Sequence, residues 1–115
     1  MKHPEREHQR VYFTFYLRIF EGSSLLGFLL DISLKGLMIM SEKELRTGKT
    51  YTLSVKVPPV ISEDHGDYVK IQSECRWCRR DEKQKDTYLC GFQIEDIQGK
   101  GNNLVKKLID EYRLR

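Results

Sequence analysis

Two short clusters of polar residues have the types and spacing to bind anionic and hydrogen-bonding groups. Arg6 and Arg10 form RxxxR, and Asp31, Ser33 and Gly36 form DxSxxG. A guanidinium can grip a phosphate bidentately, pair with guanine O6 and N7, or lie flat on a purine. A carboxylate such as that of Asp31 accepts hydrogen bonds from a pair of N–H donors. Ser33 can add a hydroxyl hydrogen bond, while Gly36 permits a positive φ or a close backbone approach.

Each cluster alone occurs widely by chance, but their order and separation are more specific. RxxxR followed by DxSxxG about one strand hairpin later resembles the signature of the PilZ domain family. The later run RWCRR, and then YLCGFQIEDI before a helical segment, resembles the closing hairpin of that family. The resemblance covers nearly the whole chain. It implies a six-stranded antiparallel β-barrel with a C-terminal helix, no catalysis, no cofactor, and a site for cyclic di-GMP formed by Arg6, Arg10, Asp31, Ser33 and Gly36.

Three features extend or depart from the family pattern. Many members have a second arginine beside the first of RxxxR, but here the neighbours are Glu5 and Glu7, and we expect these carboxylates to weaken attraction for a dianion. Lys35 replaces the first glycine of a frequent pair, where it either contacts phosphate or faces solvent. Trp77 occupies a strand position at which some members stack an aromatic residue on guanine, and it is therefore a sixth candidate binding residue.

Alternating apolar and polar residues predict the strands that would position these groups. The six predicted strands span residues 11–20, 25–32, 37–40, 50–57, 68–78 and 87–95. In the fifth, the apolar phase runs through Val69, Ile71, Cys75 and Trp77. Gly91 lies opposite the apolar phase of the sixth, which indicates a bulge or a close backbone approach.

A helical period replaces the strand pattern after Gly101. Asn102 is the predicted N-cap, and the apolar stripe consists of Leu104, Val105, Leu108, Ile109 and Tyr112. Six short strands and one terminal helix predict a mainly β fold, an antiparallel barrel, because closing the sheet removes its exposed edges.

The cysteines and histidines do not predict a metal centre or a nucleophile. Cys75 and Cys78 invite a metal interpretation together with Cys90 and His65. Strand positions three apart point to opposite faces, however, and a closed zinc site needs four converging ligands. We therefore expect thiols of the core or surface and no metal. The histidines, at positions 3, 8 and 65, stand in no nucleophile motif, so we expect no enzyme.

Size and charge set further limits. A chain of 115 residues suits one domain, and we expect a flexible arm over residues 1–10 and the barrel domain over residues 11–115. The net charge of +3 is the balance of basic and acidic residues that are interspersed along the chain. A nucleic-acid binder typically has its basic residues clustered on one surface. No apolar stretch reaches the roughly 20 residues of a membrane span, and residues 1–10 lack a secretory pattern. We expect no membrane span, no nucleic-acid partner and a cytoplasmic location.

The functional prediction is a stand-alone cyclic di-GMP receptor that acts through a partner protein not identified by the sequence. Ligand binding would draw the arm with Arg6 and Arg10 onto the barrel and order a surface that this protein recognises. Two alternatives stay open: a degenerate module of the same fold that binds only protein, and a small barrel that binds single-stranded nucleic acid.

Overall fold

The structure is a computed structural model that describes residues 11–61 and 68–112. The strands are β1 (Val11–Glu21), β2 (Ser24–Ile32), β3 (Gly36–Ser41), β4 (Thr50–Lys56), β5 (Tyr68–Arg80) and β6 (Tyr88–Ile97), followed by helix α1 (Gly101–Tyr112). The strands close into an antiparallel barrel in the order β1-β2-β3-β6-β5-β4, which confirms the predicted fold. No helix in the described ranges is long and apolar enough to span a membrane. The predicted arm, with Arg6 and Arg10, lies outside the described residues.

The two-residue period of the strands explains the barrel core, because alternate side chains of a closed sheet point inward. In β4, Tyr51, Leu53 and Val55 are buried while Thr52 is exposed. The barrel closes where Ile19 of β1 pairs with Val55 of β4. Inward-facing aliphatic side chains thus fill one core, as the alternation predicts.

A bulge in β5 overturns one predicted strand phase. Cys75 pairs with Phe92 and Trp77 pairs with Gly91. An advance of two residues along β5 therefore corresponds to an advance of only one residue along β6. Trp77 therefore turns outward, with 39% of its surface exposed, and Cys78 packs against the core. The expectation that Trp77 shares the phase of Cys75 is wrong. So is the expectation that Cys75 and Cys78 point to opposite faces, since Cys75 is buried in the same core.

Helix α1 begins earlier than its apolar stripe suggests. The first helical residue is Gly101, so Asn102 lies inside the helix and its predicted role as N-cap is wrong. The helix starts against the barrel: a Cβ at position 101 would lie 2.9 Å from the side chains of Ile97 and Val69. Glycine is needed here for the close approach, which then buries Leu104, Val105 and Leu108.

Candidate functional site

Four residues from four strands form one row across the outside of the barrel. Asp31 of β2 pairs with Met38 of β3, Met38 pairs with Gly91 of β6, and Gly91 pairs with Trp77 of β5. Residues directly opposite each other in a sheet project from the same face. Asp31 and Trp77, distant in sequence, therefore line one shallow hollow of about 200 Å³. We call these four residues the cross-strand row.

The indole of Trp77 lies directly on Gly91. A Cβ at position 91 would stand 2.1 Å from Nε1 and 2.3 Å from Cε2 of Trp77, far inside van der Waals contact. A bulge or a close backbone approach was predicted at Gly91; the register shift lies opposite it in β5, and the group that approaches its backbone is a side chain. The Arg79 guanidinium lies 5.4 Å from the centroid of the Trp77 ring, within cation–π range. The result is an exposed aromatic surface with a cation beside it.

Asp31 occupies the opposite end of the row and is only 4% exposed. The register of β2 against β3 shifts between Leu29 and Asp31, and this irregularity places the side chain of Asp31 on the outer face of the barrel. A bulge of this kind turns a side chain away from the phase set by the strand before it. The carboxylate is thus part of the hollow's wall, and little of it faces bulk solvent.

Ser33 organises the turn between β2 and β3. Its Oγ donates to the carbonyl of Gly36 at 3.3 Å and accepts from the backbone N–H groups of Lys35 and Gly36, each at 3.2 Å. A hydroxyl has one donor and two acceptor positions, so these three bonds use its full capacity. Ser33 is also 1% exposed. The side chain predicted to bond a ligand is engaged inside the turn.

The same turn is fastened to β6. The carbonyl of Lys35 accepts a hydrogen bond from the backbone of Ile94 at 2.8 Å, and Gly36 pairs with Gln93. Gly36 opens β3 as a strand residue and is not among the described glycines of positive φ. Of the two roles predicted for Gly36, the positive φ is therefore wrong, and the close approach of the backbone to a base stays a prediction. The side chain of Lys35 is exposed.

Two arginines of β5 complete the surroundings of the hollow. Arg76 lines it, donates from Nη1 to Oε1 of Gln93, and lies 3.7 Å from Oε1 of Glu74. Arg79 lies beside Trp77 as described. The sequence predictions did not include Arg76, Arg79 or Met38. The two-residue spacing of Trp77 and Arg79 could have indicated that they share a face.

The structure thus brings together some of the six predicted site residues. Asp31 and Trp77 line the hollow, and Ser33 and Gly36 form the turn that continues from Asp31 into β3. Arg6 and Arg10 lie outside the described residues. The three cysteines join no group of three or more possible metal ligands within the described ranges, and His65 falls outside those ranges.

Known proteins share this fold, and a family model matches most of the sequence. A family model described as PilZ domain matches residues 4–111. The Bacillus subtilis inhibitor of motility MotI/DgrA superposes with a TM-score of 0.68 at 16% identity, over 96% of this chain and 53% of that one. The chain therefore spans about half the length of that protein. The PilZ domain of YcgR from Escherichia coli, with c-di-GMP, superposes with a TM-score of 0.66 at 14% identity, over 93% of this chain and 90% of that one. No curated protein sequence matches the chain.

Proposed function

The chain belongs to the PilZ domain family, and from that premise we propose that it is a receptor for cyclic di-GMP. The observation that carries the proposal is the cross-strand row, in which the aspartate of DxSxxG and an exposed tryptophan share one hollow. A carboxylate and an aromatic face at two ends of a hollow suit a purine base. The YcgR domain solved with c-di-GMP has the same fold, which supports the choice of ligand.

Asp31 is the proposed acceptor for guanine. Guanine presents N1–H and N2–H on one edge, and an ionised carboxylate can accept both. Because Asp31 is 4% exposed, little bulk water competes with a base that reaches its carboxylate. Hydrogen bonds are electrostatically stronger in such a low-dielectric environment. The proposal therefore assigns base selectivity to Asp31.

Trp77 is the proposed stacking surface. One side of the indole lies on Gly91, and 39% of the residue remains exposed. Stacking of a base on an aromatic side chain is worth about 1–3 kcal/mol. The Arg79 guanidinium beside the ring can stack on a purine or pair with a phosphate. These groups would bind the ligand without reading the guanine edge that Asp31 accepts.

Arg6 and Arg10 are proposed to hold the phosphates. Cyclic di-GMP has two anionic phosphates, and a guanidinium can bind each one with two parallel hydrogen bonds. The matched family region begins at residue 4 and so includes both arginines. We propose that binding brings the arm of residues 1–10 against the hollow and creates a surface for a downstream protein. The exposed Lys35, in the turn before β3, and Arg79, beside Trp77, add further positive charge.

Ser33 and Gly36 are proposed to support the site from within the turn. The Ser33 hydroxyl already makes its full set of hydrogen bonds, so contact with the ligand would require it to exchange one of them. The turn also sets where β3 begins, and β3 contributes Met38 to the row. We therefore propose that Ser33 acts mainly by positioning the backbone around Asp31.

Calorimetric titration with cyclic di-GMP, GMP and GTP tests the proposal. We expect saturable binding of the cyclic dinucleotide and much weaker binding of the mononucleotides, because only the former has two guanines and two phosphates in one compact molecule. Equal binding of all three, or binding of none, would contradict it. Binding to a single-stranded oligonucleotide that falls steeply with salt would instead favour a nucleic-acid-binding barrel.

A further inference from the structure

Cys78 and Cys90 face each other across β5 and β6 behind the hollow. They are direct cross-strand partners, and their pair comes immediately after the Trp77–Gly91 pair in the register of the two strands. Their Sγ atoms lie 2.8 Å apart, and both cysteines are unbonded thiols. Directly opposed residues of antiparallel strands have Cα atoms about 4.5–5.5 Å apart, a range that a disulfide bridges without movement of the backbone.

The two thiols differ in their access to solvent. Cys90 is 0% exposed, whereas Cys78 is partly exposed. Cys78 Sγ accepts a hydrogen bond of 3.4 Å from the backbone N–H of Leu45, in the segment between β3 and β4. Burial, followed by the hydrogen bond with Cys78, raises the pKa of the Cys90 thiol. A small oxidant in the solvent therefore reaches the thiol of Cys78 first, and the buried Cys90 is the second thiol of the pair.

We propose that Cys78 and Cys90 form a reversible disulfide when the protein meets hydrogen peroxide. Cys78 sulfur attacks one peroxide oxygen, the O–O bond breaks, and the products are a sulfenic acid on Cys78 and water. Cys90 sulfur then attacks the Cys78 sulfur, the S–O bond breaks, and the departing hydroxide takes the Cys90 proton to form a second water. The thiol pair loses two electrons, and the peroxide gains them. A dithiol reductant reverses the bond by thiol–disulfide exchange.

The third cysteine distinguishes this pairing from random oxidation. Cys75 is buried in the core, its thiol lies 3.5 Å from the carbonyl of Trp77, and it pairs across the sheet with Phe92. Burial is the main reason that the pKa of Cys75 is raised. The cross-strand partner of Cys75 is thus not a cysteine. The register therefore favours one of the three possible disulfides, and this inference does not depend on nucleotide binding.

Peptide mapping of the natural chain tests the proposal without a variant. Trypsin cleaves after lysine and arginine, so the three cysteines fall into three fragments: residues 71–76, 77–79 and 86–100. Folded protein is treated with hydrogen peroxide, remaining thiols are alkylated in denaturant, and the digest is analysed by mass spectrometry. We expect a linked pair of the 77–79 and 86–100 fragments, with Cys75 alkylated, and we expect the link to disappear when dithiothreitol is added before alkylation.

Protein oxidised in urea is the matched control, because unfolding removes the register and should give mixed pairings. Cys75→Ser should keep the link, and Cys78→Ser should abolish it and leave Cys90 alkylated. Absence of the 77–79 to 86–100 link in folded protein would overturn the proposal. So would the same mixture of pairings in the folded and the unfolded samples, since the fold would then impose no choice.

Discussion

Trp77 and Gly91 are matched across β5 and β6: the indole occupies the space that any Cβ at position 91 would need. The contact holds the tryptophan against the sheet at one end of the hollow, with Asp31 at the other end. Because only glycine leaves this space open, a single methyl group at position 91 can test the orientation of Trp77.

Gly91→Ala is expected to push the indole away from β6 and to weaken cyclic di-GMP binding by about 1–3 kcal/mol, the value of one stacked base. Calorimetry measures the loss, and fluorescence of the single tryptophan reports the displaced ring. Gln72→Ala, at an exposed position of β5 outside the cross-strand row, is the control and should bind like the parent. Unchanged affinity of Gly91→Ala would remove Trp77 from the proposed site.

Asp31→Asn is expected to weaken cyclic di-GMP binding by about 1–3 kcal/mol, the scale of a charge-assisted hydrogen bond. The amide keeps the size of the side chain, but it loses the charge and one acceptor oxygen, so it cannot receive both donors of guanine equally well. Calorimetry gives the affinity, and circular dichroism should show an intact barrel. A folded variant with parental affinity would mean that Asp31 does not read guanine.

Arg10→Lys and Arg10→Ala separate the charge of the arginine from its geometry. Lysine keeps a point charge without the planar fork that binds phosphate bidentately. We therefore expect affinity to fall from the parent to Arg10→Lys and again to Arg10→Ala, with about 1–3 kcal/mol for the full loss. Titrations at two salt concentrations should show weaker salt dependence for Arg10→Ala alone. Equal affinity of the parent, Arg10→Lys and Arg10→Ala for cyclic di-GMP would contradict a phosphate contact at Arg10.

Hydrogen exchange tests whether the arm takes part in binding. Backbone amides of residues 7–10 should exchange more slowly when cyclic di-GMP is added, because contact with the ligand and the barrel shields them from solvent. Helix α1, which packs on β5 and β1 and has no residue among those that line the hollow, serves as the internal control and should change less. Equal protection of residues 7–10 with and without ligand would contradict the proposed ordering of the arm.

The proposed disulfide between Cys78 and Cys90 should stabilise the barrel. The bond would close the short loop between Cys78 and Cys90 and so restrict the unfolded chain. We expect this to raise the free energy of unfolding by about 2–3 kcal/mol. Urea titration of the oxidised and reduced protein, monitored by circular dichroism, measures the difference. Cys78→Ser treated in the same way should show no gain. A loss of stability on oxidation would indicate that the bond strains β5 and β6.

The strands were predictable because their signal is local. Alternation at β4 requires only neighbouring residues, and Tyr51, Leu53 and Val55 are buried as their spacing indicates. The start of α1 was not predictable in the same way. Gly101 reads as a helix breaker in sequence, but contact with Val69 and Ile97 makes a small residue necessary at the helix start.

By itself the sequence determined the order of the elements, the closed antiparallel barrel, and the identity of Asp31, Ser33 and Gly36 as one turn motif. Only the tertiary structure decided that Trp77 faces outward onto Gly91 and that Cys78 meets Cys90. Both outcomes depend on the bulge between Cys75 and Trp77, which shifts the register of β5 against β6. A bulge changes the face of every residue after it, and its position depends on pairing between distant strands, which a local pattern does not contain.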